Sequence, residues 1–113
     1  MIRKYAFAAV AVFAFAAPAL ADAIEGNYVT PAGTKMSIAA CGASFCVTAK
    51  SGKHAGKSIG SFKTSSGGYK GSLTDHDKGK TYNGKGRLSG GNLVMSGCVL
   101  GGLICRSETW NRQ

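Results

Sequence analysis

The stretch LVMSGCVLGGLICRSETWNR, residues 93–112, predicts the element that closes the fold. Two apolar runs flank Gly101-Gly102, and a two-residue hairpin turn needs positive φ at both central residues, which glycine adopts readily. Folding the stretch about this turn brings three pairs face to face: Cys98 with Cys105, Val99 with Ile104, and Leu93 with Trp110. The sequence therefore predicts a β-hairpin whose register agrees with a Cys98–Cys105 disulfide.

The first 21 residues have the pattern of an export signal. Arg3 and Lys4 precede an apolar stretch over residues 5–17, and Ala19-Leu20-Ala21 supplies small residues at a cleavage site. An uncleaved membrane anchor is the alternative, but the apolar stretch is shorter than the roughly 20 residues that span a bilayer. We therefore predict a signal peptide over 1–21 and one domain over 22–113. The expected location is periplasmic or secreted, with no transmembrane segment after cleavage.

The composition of residues 22–113 indicates a small, basic, disulfide-bonded domain. The chain has 17 glycines, four cysteines and a formal charge of +9, which falls to +7 without Arg3 and Lys4. An even number of cysteines in an exported chain favours disulfides over metal ligation. Cys41 and Cys46 flank a short loop, so the sequence predicts a Cys41–Cys46 bond. That pairing would place Ala40 opposite Val47 and Ile38 opposite Ala49.

Period-two alternation recurs from Ile24 onward, in eight segments joined by short turns. The pattern predicts an all-β, up-and-down barrel of about eight antiparallel strands, because closure removes exposed edges. The first strand is expected to pair with the last, placing Tyr28 near Trp110 and Arg112. The inward side of residues 58–64 is ambiguous, since Ile59 and Phe62 alternate onto opposite faces. The predicted interior consists of Ile24, Tyr28, Met36, Ile38, Ala40, Phe45, Val47, Tyr69, Leu73, Tyr82, Leu88, Leu93, Met95, Val99, Ile104 and Trp110.

Four stretches carry a resemblance to a known family: IEGNYVT (24–30), KMSIAACGASFC (35–46), YKGSLTDHDKGKTY (69–82) and the closing stretch 93–112. Together they resemble the exported bacterial domain-of-unknown-function family 2147. The chain departs from that family's pattern at Tyr28, where a tryptophan is usual, and at His76, where a proline is usual. The resemblance implies a lipocalin-like β-barrel with an export signal and no settled activity.

The polar residues form no recognisable catalytic or metal-binding set. Asp75, Asp77 and Gly79 resemble the start of a calcium loop, but no glutamate stands at its twelfth position. His54 and His76 lie in separate polar segments without a cysteine or histidine cluster. We therefore expect no metal, no cofactor and no enzymatic activity.

The last strand carries two charges on an otherwise apolar face. Alternation places Arg106 and Glu108 on the same side as Ile104 and Trp110. Buried charges are costly unless they are paired. Three arrangements remain open: an Arg106–Glu108 ion pair inside the barrel, the polar lining of a ligand cavity, or a twist of the strand that leaves both charges at the rim.

The sequence is compatible with three functions. The first is a binding barrel for a small anionic or lipidic ligand, with Arg106 as the polar anchor; its candidate site residues are Arg106, Glu108, Tyr28, Tyr69, Tyr82 and Trp110. The interior of so small a barrel is expected to be nearly filled by side chains, which limits the ligand to a slender acyl chain or a small acid. The second is an envelope-associated structural or adaptor protein whose basic surface contacts anionic polymers. The third is an inhibitor of an extracellular hydrolase.

Because the lysines are not interleaved with aromatic residues, nucleic acid is not an expected partner. The protein is expected to be a monomer.

Overall fold

The computed structural model describes residues 22–99 and 104–113, which form eight antiparallel β-strands. Each strand pairs with the next and β8 pairs with β1, so the all-β closed barrel is confirmed. The predicted signal peptide and the predicted turn at Gly101-Gly102 lie outside the described residues. The strands are β1 (Gly26–Val29), β2 (Lys35–Cys41), β3 (Ser44–Ala49), β4 (Ser58–Ser65), β5 (Gly68–Asp75), β6 (Lys80–Ser89), β7 (Asn92–Val99) and β8 (Ile104–Arg112).

The part of the chain that the structure describes contains no helix long and apolar enough to cross a membrane.

The closing hairpin of β7 and β8 has the predicted register. Cys98 lies opposite Cys105, Val99 opposite Ile104 and Leu93 opposite Trp110. The two cysteines form a disulfide across the pair, with Cα atoms 4.1 Å apart. The turn chemistry and the cysteine spacing therefore identified the same pairing from sequence.

The β2–β3 hairpin has the predicted disulfide but not the predicted register. Cys41 and Cys46 are bonded, with Cα atoms 5.8 Å apart. Ile38 pairs with Val47, where Ala49 was predicted, and Ala40 pairs with Phe45, where Val47 was predicted. The predicted partners were wrong because the turn is the tight two-residue Gly42-Ala43, with φ of +68° at Gly42, and the disulfide joins the strands diagonally. A shift of two residues leaves every side chain on its predicted face.

A β-bulge in β4 decides which of its side chains face the interior of the barrel, which the sequence left ambiguous. Val47 pairs with Gly60 and Thr48 with Ser58, so Ile59 is an extra residue without a partner on β3. The extra residue changes the alternation, and both Ile59 and Phe62 pack against the core. Phe62 is among the largest fully buried side chains of the described residues.

The core fills the barrel from one end to about its middle. Its buried members are Ile24, Tyr28, Ile38, Val47, Phe62, Leu93, Met95 and Trp110, with Met36, Phe45, Ile59, Tyr69, Leu73 and Leu88 packed against them. The prediction of an interior position was wrong for Ala40, which is exposed near the hairpin tip. Val99 and Ile104 face inward but are 38% and 52% exposed, because the barrel is open at their end.

The barrel closes through a short seam between β1 and β8, as predicted. Tyr28 pairs with Arg112 and Val29 with Asn111. The guanidinium of Arg112 lies over the ring of Tyr28, 4.8 Å from its centroid. It also donates hydrogen bonds to three backbone carbonyls: Ala23 at 2.6 Å, Gly91 at 2.8 Å and Glu25 at 3.0 Å. One side chain therefore joins the segment before β1, the β6–β7 turn and the end of β8.

Candidate functional site

An open cavity of about 850 Å³ occupies the end of the barrel where β1, β3, β5 and β7 end. The prediction of an interior nearly filled by side chains was therefore wrong. The cavity wall combines an apolar surface with polar and charged side chains, among them Asp75, Asp77, Lys78, Arg106 and Glu108. The apolar lining comprises Met36, Ile59, Leu73, Met95, Val99, Ile104 and Trp110.

A row of glycines across the strands explains why the interior has room. Gly71, Gly84 and Gly97 lie side by side on β5, β6 and β7, in register with Phe62 on β4 and Arg106 on β8. The ring of Phe62 fills the space over Gly84, where an added Cβ would come within 2.8 Å of its Cζ. At Gly97 the nearest atom to an added Cβ is Tyr82 Cβ, at 3.8 Å. Phe62 thus occupies one end of the row, and the other end is open beside Arg106.

Arg106 and Glu108 both line the cavity and are both exposed. Glu108 does not pair with Arg106; its Oε2 accepts a hydrogen bond of 2.6 Å from Trp110 Nε1. In residues 22–99 and 104–113, every ion pair involves Asp77, and Arg106 has no hydrogen-bond or ion-pair partner. The guanidinium at the rim is therefore available to an anion, whereas the carboxylate is already engaged.

The aromatic candidates divide between the cavity and the core. Tyr82 and Trp110 line the cavity. Tyr28 is fully buried, and its hydroxyl donates to the carbonyl of Ile24 at 2.7 Å. Tyr69 packs edge-on against Phe45, and its hydroxyl donates to Asp22 Oδ1 at 2.5 Å. The structure therefore brings together Arg106, Glu108, Tyr82 and Trp110, and places Tyr28 and Tyr69 in the core.

Tyr69 is expected to make stability pH-dependent in the alkaline range. Burial, reinforced by the hydrogen bond to Asp22, raises the pKa of Tyr69 to about 12. An unfolded tyrosine ionises at pH ~10, so the protonated Tyr69 hydroxyl stabilises the folded state. This contribution to the free energy of unfolding is fully present below pH ~10 and is lost as the pH rises towards ~12. Urea unfolding at pH ~9 and ~11 should show a larger loss of stability for the parent than for Tyr69→Phe. Tyr82→Phe, which leaves the bond to Asp22 intact, should behave like the parent. Equal losses of stability between the two pH values in the parent and in Tyr69→Phe would show that Tyr69 is not the source of the pH dependence.

A polar cluster at the cavity mouth was not anticipated from sequence. His54 Nε2 donates to Asp77 Oδ1 at 3.0 Å, and Lys53 Nζ lies 2.7 Å from the same oxygen. Hydrogen bonds from Lys53 and His54 lower the pKa of the Asp77 carboxyl. His76 Nε2 donates to the carbonyl of Ser58 at 2.8 Å. These contacts hold the loop 50–57 against the β5–β6 turn, and no local pattern reveals them, because the partners are far apart in sequence.

His54 adds an unsatisfied polar group to this cavity. It lines the wall, and its Nδ1 is buried without a hydrogen-bond partner among the residues that the structure describes. A buried polar atom without a partner is costly unless a water molecule or ligand satisfies it. Within the same residues, no group of three or more His, Cys, Asp or Glu side chains could hold a metal ion. The polar groups of the cavity therefore suit hydrogen bonding and ion pairing.

Comparison with known proteins identifies the family but not an activity. The chain matches no curated protein and no solved structure. Residues 26–112 match the family described as "Uncharacterized protein conserved in bacteria (DUF2147)". The matched segment runs from the first residue of β1 to the last residue of β8, so it includes the whole barrel and the cavity. The chain therefore belongs to this family of uncharacterised bacterial proteins.

Proposed function

We propose that this protein is a non-enzymatic binding barrel of the bacterial envelope, whose cavity holds a small ligand with an anionic head and an apolar body. The observation that carries the proposal is the unpaired guanidinium of Arg106 at the rim of an open, mostly apolar cavity. An apolar surface combined with polar groups that can orient the ligand is typical of ligand sites. The two disulfides suit a periplasmic or secreted location.

The size of the cavity supports a larger ligand than the sequence suggested. Ligand pockets commonly measure about 300 to 1,000 Å³, and this cavity of about 850 Å³ lies within that range. A single acyl chain or a compact aromatic acid could lie along Leu73, Met95 and Trp110. Burial of that apolar body would supply most of the affinity, at about 25 cal/mol per Å² of apolar surface removed from water.

The head group is expected to pair with Arg106. A carboxylate or phosphate accepts two parallel hydrogen bonds from one guanidinium, a strong and directional arrangement. Gly97, directly opposite on β7, has no side chain to compete for the space. Tyr82 and His54 provide further polar side chains in the lining of the cavity.

The test is native mass spectrometry of the protein purified from the periplasm of its own host. We expect the parent to carry a stoichiometric bound acid, and Arg106→Met to retain less than a tenth of it. Methionine keeps much of the length and removes the charge, so the loss would report on the ion pair. Lys57→Met, which removes an exposed charge outside the cavity, is the matched control and should retain the ligand.

Two results would contradict the proposal. The same bound acid at the same occupancy in Arg106→Met and in the parent would exclude Arg106 as the anchor. The second contradicting result is a parent protein that carries no bound mass from the periplasm and binds no fatty acid when one is added. The first result would overturn the assignment of the head-group site, and the second would remove the cavity as the functional site.

A further inference from the structure

The outer face of the barrel carries a row of cations in direct register. Lys63 on β4 lies opposite Lys70 on β5, which lies opposite Lys85 on β6. All three are exposed. Neighbouring strands are about 4.8 Å apart, and like charges directly opposite one another destabilise a sheet. The barrel therefore tolerates repulsion along this row.

The row continues into a shallow groove with hydroxyl groups at its far end. Lys85 pairs with Ser96 on β7, and Ser96 pairs with Ser107 on β8, where the two hydroxyls are 2.6 Å apart. A groove of about 340 Å³ follows this line from the β4–β5 turn to β8. Its polar lining includes Lys70, Lys85, Arg87, Ser65, Ser96 and Ser107; we call this depression the outer groove.

No carboxylate of the protein neutralises the outer groove. The chain has five acidic residues, and none of them lines it. Asp75, Asp77 and Glu108 line the cavity at the open end, while Asp22 and Glu25 lie before β1. The ion pairs of the described residues use only Asp77, so Lys70, Lys85 and Arg87 have no ionic partner there. An external anion would relieve the repulsion between these cations.

We propose that the outer groove binds a linear polysaccharide that carries anionic groups. The cations match the anionic groups, and the serine hydroxyls can exchange hydrogen bonds with sugar hydroxyls. A nucleic acid is a poorer match, because strand binding commonly uses aromatic rings as stacking platforms. Among the residues that the structure describes, Tyr69 is the only aromatic one in the lining; its hydroxyl is bonded to Asp22 and its ring packs on Phe45. Apart from Ser107, which lines both, this site shares no lining residue with the cavity, and it does not depend on Arg106.

The test compares two variants with the same net charge. The groove variant carries Lys70→Gln, Lys85→Gln and Arg87→Gln. The control variant carries Lys50→Gln, Lys57→Gln and Lys80→Gln, three exposed positions outside the groove. Binding to dextran sulfate and to uncharged dextran of equal length is measured by calorimetry at about 0.05 M salt, where charge screening is weak. Thermal unfolding checks that both variants fold.

We expect the parent to bind dextran sulfate and not dextran, with an affinity reduced at least tenfold in the groove variant and less than threefold in the control variant. Equal losses in both variants would show that only net charge matters and would overturn the proposal. A duplex DNA of similar charge serves as the competing partner. If the parent prefers DNA to dextran sulfate, and the groove variant loses that preference, the polysaccharide assignment is overturned.

Discussion

Replacing Arg112 with alanine is expected to destabilise the barrel by about 2 kcal/mol or more, because hydrogen bonds from charged groups commonly contribute roughly 1.5 to 3 kcal/mol each to stability. The side chain is largely exposed, so water can satisfy part of what is lost. The three carbonyls that it binds nevertheless belong to two distant segments, because Ala23 and Glu25 lie before β1 and Gly91 lies in the β6–β7 turn. The cation–π contact with Tyr28 would be lost with them.

The location of Arg112 is the reason for expecting so large an effect from a surface residue. The β1–β8 seam has only two paired positions, Tyr28 with Arg112 and Val29 with Asn111. The absence of a side chain at Gly26 also leaves room for the guanidinium, because a Cβ at Gly26 would come within 2.6 Å of Arg112 Nη1. Urea unfolding measures the change. Arg112→Lys should be intermediate, because lysine keeps the charge but cannot reach three carbonyls with one planar group.

Arg87→Ala is the matched control for Arg112→Ala. Arg87 is exposed on β6 and has no ion-pair partner in the described residues, so its removal should change stability by no more than about 0.5 kcal/mol. Equal and small shifts of the unfolding midpoint in the two variants would show that Arg112 does not hold the seam.

Gly71→Ala is expected to destabilise by about 3 kcal/mol, at the upper end of the usual cost of overpacking. An added Cβ would lie against the carbonyl oxygen of Ser61 and 2.8 Å from the Cα of Phe62, both of which are backbone atoms of β4. A backbone neighbour cannot rotate away as a flexible side chain can. The two strands would have to separate locally, breaking hydrogen bonds beside the fully buried Phe62. Urea unfolding of the variant measures the cost.

Gly97→Ala is the control, and its effect should have the opposite sign. Gly97 belongs to the same row of glycines, but a Cβ there would meet only Tyr82 Cβ, at 3.8 Å. With no clash, alanine lowers the conformational entropy of the unfolded chain and should stabilise by about 0.4 to 1 kcal/mol. If both variants lose stability equally, the close approach at Gly71 does not set the packing of β4 and β5.

The sequence by itself determined the strand pattern, the disulfides and the closing register. Alternation and turn residues are local signals, and a hairpin turn and a cysteine pair each constrain the same few residues. In the β7–β8 hairpin the two signals agreed, and the pairing of Cys98 with Cys105 was predicted correctly. In the β2–β3 hairpin the disulfide joins the strands diagonally. A prediction that placed the two cysteines opposite each other therefore gave a register shifted by two residues, and the turn at Gly42 sets the observed one.

Only the tertiary structure decided how much space remains inside the barrel and which distant segments come into contact. The bulge at Ile59 depends on how β4 follows β3 around the barrel, and it decided that Phe62 points inward. The cavity has room beside Gly97 because Phe62 covers Gly84, whereas only Tyr82 Cβ comes within 4 Å of an added Cβ at Gly97. His54 meets Asp77 because two turns come together at one end of the barrel. Alternation of period two tells which residues share a face of one strand. It does not tell how much space remains between faces that meet across the closed sheet, because that space depends on close packing among all eight strands.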